Sequence, residues 1–233
     1  MKPQNKQQKS LLTLALATVL SLVLSSCGSG DDASTPSDVD SAIESLPISE
    51  NVVTVAEEIR DGVAFGDITV GDPDAPITII EYFSMTCSHC ADFHNIVLPT
   101  LEERWVSTGV VKFIYRNFIR DGIDLMASMV ARCEGPERAM LTTSLFFEKQ
   151  NQWAFSNDPV GELAALARRA GISRASFDAC LQNKELERHL VEMANKGRDE
   201  FNIEATPTFF INGEKIEGAL PLEEFDEMIR EKR

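Results

Sequence analysis

The sequence is short of basic charge. Its 233 residues carry 22 Lys and Arg against 37 Asp and Glu, a formal net charge of −15. A surface of that sign is unsuited to nucleic-acid backbones, which are held through Lys and Arg, so no nucleic-acid partner is expected. Long apolar runs are missing as well. The longest, Leu11 to Leu24, covers 14 residues broken only by Thr and Ser, too short to span a bilayer comfortably. There is no internal repeat, no twin arginine near the start, and no second cysteine pair at metal-ligating spacing. Histidine is limited to three positions. What remains is 43% hydrophobic and 25% charged, the composition of a soluble globular protein with room for one domain and an insertion.

The first residues read as an export signal. Lys2, Lys6 and Lys9 precede the apolar run, and the absence of a twin arginine favours the general secretory route. The run ends in Leu24-Ser25-Ser26-Cys27, which resembles a bacterial lipoprotein signal with Cys27 as the lipidated residue. Cysteine arithmetic agrees: five cysteines are odd, and lipidating Cys27 leaves Cys87, Cys90, Cys133 and Cys180, which can pair. The expected location is the periplasm or cell envelope, with a membrane anchor made of lipid. Gly28 to about Pro47, rich in Ser, Asp, Gly, Thr and Pro, reads as a flexible acidic tether. Val52, Val55, Ala56 and Ile59 fall at helical spacing and predict a short helix over 48–61.

From Gly66 the pattern is regular. Asp67–Val70 reads as a short strand and Ile77–Phe83 as a β-branched strand buried on both faces. A helix is predicted from Ser88 to about Thr108, kinked at Pro99, and a further strand over Val110–Phe118. Residues 121–201 carry only helical patterns, with starts at Asp158-Pro159 and Ser173 and an end at Gly171. Strands return at Thr208–Ile211 and Lys215–Glu217 around Asn212-Gly213, a strong hairpin signal, and an amphipathic helix covers Pro221–Arg230.

Between the strand at Ile77 and the helix at Ser88 lies Cys87-Ser88-His89-Cys90. Two thiols at a helix N-terminus meet unpaired backbone N–H groups and the positive end of the helix dipole, which favour the reactive thiolate. Cys87 is the candidate nucleophile and Cys90, one turn in, the resolving thiol. A c-type haem site would need His after the second cysteine, and Ala91 stands there. Zinc has three potential ligands on one helical face, Cys87, Cys90 and His94, but no fourth, and no metal is expected. Glu81, inside the apolar strand, would be a buried acid able to pass protons to or from Cys90, or else a strand-edge acid paired with a lysine. His94 reads as a helix-surface or groove residue and His189 as a solvated one.

Thr206-Pro207-Thr208-Phe209-Phe210-Ile211-Asn212-Gly213, following Cys87-Ser88-His89-Cys90, resembles the DsbA-like thiol–disulfide oxidoreductases. Further matches are Cys90-Ala91-Asp92-Phe93-His94, Val97-Leu98-Pro99 and Tyr115-Arg116-Asn117-Phe118. The resemblance implies an α/β thioredoxin fold with an inserted helical domain. The expected organisation is a lipoprotein signal peptide (1–26), an acidic tether with a short helix (27–62), the first part of the thioredoxin fold (63–120), the helical insert (121–201) and the second part of the fold (202–233).

The resemblance also implies site roles. Pro207 would be cis and lie beside the cysteines, with Thr206 influencing release of the mixed disulfide; His89 would stabilise the Cys87 thiolate. Ser88 stands where well-known oxidases of the family have Pro, which leaves the potential of the pair open. A second disulfide, Cys133 to Cys180, would staple the insert. No cofactor is implied. Expected partners are exported proteins bearing thiols and a quinone-linked, DsbB-like membrane partner. A disulfide reductase or isomerase, with the 48–61 helix supplying self-association, is the alternative within redox chemistry; a lipid-anchored metal-binding module is the alternative outside it.

Overall fold

The computed structural model describes residues 54–233. Cys27, the apolar run and the acidic segment lie outside the described residues. A six-stranded sheet has the order β1-β2-β4-β3-β5-β6. Its strands are β1 (Thr54–Arg60), β2 (Val63–Val70), β3 (Ile77–Phe83), β4 (Val111–Asn117), β5 (Thr208–Ile211) and β6 (Glu214–Glu217). Only β3 and β4 pair in parallel, with Ile77 opposite Val111 and Phe83 opposite Asn117; the other pairs are antiparallel. β3 is central, and its β-branched run is buried as such a position requires.

The helix expected over 48–61 is instead a strand from Thr54 onward. Asp61 and Gly62 both take positive φ, 50° and 82°, the conformation of a two-residue type I′ turn, which reverses the chain so that β1 pairs with β2. Helical spacing of Val55 and Ile59 had no core to serve, since both stay exposed at 45% and 54%. β2 accordingly starts at Val63, four residues before the expected strand.

A helical rod, α1, crosses from β3 to β4. It consists of Ser88–Asp92, Phe93–Val97, Leu98–Leu101 and Glu102–Val106, the second and fourth pieces wound as π-helix. Pro99, which lacks an N–H, sits two residues past the end of the first π segment, where the wider turn accommodates the i−4 bond it cannot make. Phe93, Leu98 and Leu101 of α1 pack with Phe113, Phe209 and Ile211 of the sheet and with Phe225 and Ile229 of the last helix, α8 (Leu222–Lys232). The Phe93 ring lies 4.8 Å from Phe209 and 5.5 Å from Phe225. Each such burial contributes roughly 1.5–3 kcal/mol before entropy is counted.

Between β4 and β5 run α2 (Gly122–Arg132), α3 (Pro136–Glu148), α4 (Gln150–Trp153), α5 (Pro159–Arg169), α6 (Arg174–Leu181) and α7 (Lys184–Phe201). Asp121, Asp158, Ser173 and Asn183 each accept backbone N–H groups at a helix start, and Asn202 ends α7 in the left-handed region. Cys133, at the end of α2, is disulfide-bonded to Cys180 of α6, with 5.8 Å between Cα atoms. Two of the contacts between this helical region and the sheet illustrate how closely they are joined. Arg132, 2% exposed, donates to Asn117 Oδ1 (2.7 Å) and to the Gly66 carbonyl (2.7 Å). Gly197 of α7 lets the helix approach Tyr82 and Phe118 so closely that a Cβ would fall 2.9 Å from the Tyr82 ring.

Candidate active site

β3 delivers the chain into a tight turn, in which the Cys87 N–H donates to the Ser84 carbonyl (3.1 Å), and Cys87 becomes the N-cap of α1. Its φ and ψ, −87° and 119°, are extended, and its carbonyl accepts from the Ala91 N–H (3.1 Å). The helical insert completes the turn from two sides. Asp124 of α2 accepts from the Ser84 hydroxyl (2.7 Å), the Met85 N–H (2.8 Å) and the Arg120 N–H (2.9 Å). Gln150 of α4 donates through Nε2 to the Met85 carbonyl (2.9 Å) and the Cys87 carbonyl (3.0 Å). Both side chains are buried. Burial raises the Asp124 carboxyl to about 6 against the pull of these hydrogen bonds.

Both thiols are free and buried, Cys87 at 5% exposed and Cys90 at 0%. Their ionisations are driven apart. The Cys87 thiol falls from 9.0 to about 5, chiefly through its hydrogen bond with Cys90, then through Thr206 and the backbone N–H groups of Cys90 and His89, with burial opposing. Cys90 moves well above 9.0 because it is desolvated, because it bonds Cys87, and because Glu81 is near. The Cys87 S–H donates to the Thr206 carbonyl (3.1 Å), and the Thr206–Pro207 peptide is cis. Thr206 Oγ1 is buried and has no hydrogen-bond partner among the described residues.

Beneath the thiols, Glu81 is fully buried, and its Oε2 lies 2.9 Å from His94 Nε2. Neither Glu81 Oε1 nor His94 Nδ1 has a hydrogen-bond partner among the described residues. His94 is therefore neither a surface nor a groove residue. The register of β3 puts Glu81 between Tyr115 and Phe209, and the adjoining α1 turns His94 inward to meet it, against Phe147 at 4.4 Å between ring centroids. Farther along, the Tyr115 hydroxyl donates to Glu102 Oε1 (3.0 Å); burial raises both groups. His189 also departs from expectation. It is half-buried, accepts the Gly66 N–H at Nε2 (2.8 Å) and meets Phe65 edge to face, and desolvation lowers its ionisation.

The structure thus gathers Cys87, Cys90, Thr206, Pro207 and Glu81 around one point, with Ser88 and His89 exposed at the helix start. A groove of about 1000 Å³ opens onto Thr86, Cys87, Ser88, His89 and Thr206. Among the described residues, no cluster of three or more His, Cys, Asp or Glu side chains is arranged to hold a metal ion; His94 is spent on Glu81. No helix of the described residues is long and apolar enough to cross a membrane. Asp124 and Gln150 escaped the sequence reading. Asp121 is an N-cap residue type whose position would place Asp124 in the first turn of a helix, a signal that could have found it, whereas nothing local marks Gln150.

Comparison with known proteins agrees with this geometry. The family model described as thioredoxin matches residues 64–231. The crystal structure of Wolbachia pipientis alpha-DsbA1 is 30% identical, covering 71% of this chain and 89% of that one with a TM-score of 0.67. That of a protein-disulfide isomerase from Novosphingobium aromaticivorans is 25% identical, covering 73% and 98%, with a TM-score of 0.62. A candidate protein-disulfide oxidoreductase of Rickettsia bellii (strain RML369-C) is 31% identical over 152 residues, 65% of this chain, and the match spans 59% of the relative's length. The chain belongs to the thioredoxin family and is a DsbA-like member of it.

Proposed function

We propose that the chain is a protein thiol–disulfide oxidoreductase that introduces disulfide bonds into exported proteins through Cys87 and Cys90. The observation that carries this reading is the placement of Cys87 at the N-cap of α1 against the cis Thr206–Pro207 peptide, with Cys90 buried one turn behind, an arrangement that lowers the Cys87 thiol to about 5 and raises Cys90 well above 9.0. A thiolate that is stable at neutral pH is a good leaving group, and it lowers the free energy of the dithiol form relative to the disulfide.

In the forward reaction a substrate thiolate attacks Cys87 Sγ of the Cys87–Cys90 disulfide. The substrate–Cys87 bond forms, the Cys87–Cys90 bond breaks, and Cys90 leaves with the electron pair. Its high proton affinity makes it take a proton at once, and Glu81, beneath it, is the group placed to pass that proton on. A second substrate thiolate then attacks the substrate sulfur of the mixed disulfide, and Cys87 leaves as a stabilised thiolate. Two electrons have passed from substrate to enzyme. Thr206 supplies a carbonyl for the neutral thiol and a buried hydroxyl that can turn to the thiolate once the S–H donor is gone. Ser88 and His89 tune that thiolate from the solvent side. Cys133 and Cys180 serve as a structural staple.

Reoxidation by a quinone-linked membrane protein, and a site in the periplasm or cell envelope with lipid on Cys27, complete the reading. The isomerase alternative relied on a self-association helix over 48–61, and Thr54–Arg60 are committed to the sheet. Equilibration with glutathione redox buffers tests the direction. A potential well above thioredoxin's of about −270 mV supports an oxidase, and one at that value overturns it.

A further inference from the structure

The groove beside Cys87 carries a charge that the rest of the chain does not. Acids outnumber bases by 37 to 22 in the sequence, yet apart from Cys87 the ionisable side chains lining the groove are His89, Arg120, Arg198 and a single acid, Glu204. Arg198 is fixed in place. Its guanidinium lies over the Phe118 ring at 4.8 Å and donates to the Ile119 carbonyl (3.3 Å) and to Asn195 Oδ1 (2.9 Å). Arg60, Arg104, Arg116, Arg174 and Arg230 all hold carboxylates; among the described residues neither Arg120 nor Arg198 is in such a pair. Phe155, also lining the groove, is a large apolar side chain left 66% exposed.

We propose that this groove selects reduced chains whose cysteine is flanked by acidic residues, with Phe155 as an apolar seat beside them. The proposal rests on the oxidoreductase reading and names its substrate class. At physiological ionic strength the screening length is about 8 Å. The acidic surface elsewhere is thereby damped, whereas two arginines lining the groove act on a bound segment at short range. Arg also suits carboxylates through its planar fork of donors.

The test uses the full-length protein in its disulfide form and two peptides, each with two cysteines joined by a flexible spacer. They differ only in having Glu or Lys on both sides of the first cysteine. Single-turnover oxidation is followed by acid quench and mass spectrometry, and each rate is normalised to the same peptide's reaction with a small neutral disulfide. The normalised Glu-to-Lys ratio is expected to be about 10 at physiological ionic strength, where the acidic surface elsewhere is screened, and to shrink to within about 2 at 1 M NaCl. Arg120→Glu and Arg198→Glu should each lower the ratio by about 3-fold, the double variant should invert it, and Glu204→Gln should raise it. Being taken on one preparation, the ratio is blind to any misfolded fraction. A ratio near 1 in the unaltered protein, or one that ignores the double variant, overturns the selectivity while leaving oxidation intact. Failure to oxidise either peptide overturns the oxidoreductase reading itself, and the selectivity with it.

Discussion

Lowering the pH should erase a stability difference between the two redox forms that the Cys87 environment creates. The folded thiol ionises near 5 and the unfolded one near 9.0, so the depressed value stabilises the folded dithiol above the folded pKa and the effect is lost as pH falls through 5. The disulfide form has no such thiol. At pH 7 the upper value is (7 − 5) × ~1.36, or ~2.7 kcal/mol, and solvent in the groove screens it to between roughly half of that and the whole. In potential this is about 30–60 mV toward a stronger oxidant. Cys90, displaced upward, holds its proton throughout. Asp124, with its carboxyl raised to about 6, acts in the opposite sense, binding a proton in the fold that the unfolded chain has released, so that stability falls as pH rises from about 4 to 6. That contribution is common to both forms and cancels in their difference. Urea unfolding of dithiol and disulfide protein across pH 4–9, alongside thiolate absorbance, measures the quantity. The dithiol should gain up to ~1.4 kcal/mol per pH unit between 5 and 8, nothing below 5, and the gain should end near 9.0, where the unfolded thiols ionise. A difference that stays flat between pH 5 and 8 would refute the assignment of Cys87 as the stabilised thiolate.

Three further outcomes follow from other contacts. Gln150→Met keeps the bulk but removes both donors to the Met85 and Cys87 carbonyls; a loss of about 2 kcal/mol in urea unfolding is expected, with an upward move of the Cys87 titration, and an unmoved titration would mean the amide only fills space. Glu81→Gln should slow the step in which Cys90 gains or loses its proton by about 10-fold or more without unfolding the protein, since the amide can still meet His94; unchanged exchange rates in stopped flow would take Glu81 out of the mechanism. Replacing Cys133 and Cys180 together by Ser opens a 47-residue separation, which in the chain-entropy model lowers stability by ~4 kcal/mol; thermal or urea unfolding reads it, and a loss below about 1 kcal/mol would show that the packing of α2 on α6 suffices alone.

Local chemistry was legible in the sequence and distant chemistry was not. A cysteine pair at a strand-to-helix junction can be read because the N-cap geometry involves only neighbours. Asn212-Gly213 was read as a hairpin for the same reason. Asp61-Gly62 carries the same signal, and the helical spacing of the apolar residues before it, which alone points to a helix there, has no face to bury. His94 illustrates the other limit. Its helical face follows from its position four residues after Cys90, but its partner depends on the register of β3, which no short window specifies. Gln150 lies 63 residues from the Cys87 carbonyl it holds, and Asp124 lies 39 from the Met85 N–H. Hydrogen bonds that close such distances leave no periodic trace.

The turn that carries Cys87 is built from residues that the ribosome adds much later. When Cys87 and Cys90 are added, Asp124, Gln150 and Thr206 do not yet exist in the chain, and the nascent thiol meets none of the groups that hold its folded ionisation near 5. An unstructured cysteine at neutral pH is mostly protonated and slow to exchange. The site's reactivity is thus acquired late, only after the chain has been made through Thr206 and folded back onto β3. Until then the protein is itself an ordinary thiol-bearing chain, of the same chemical kind as the substrates proposed for it.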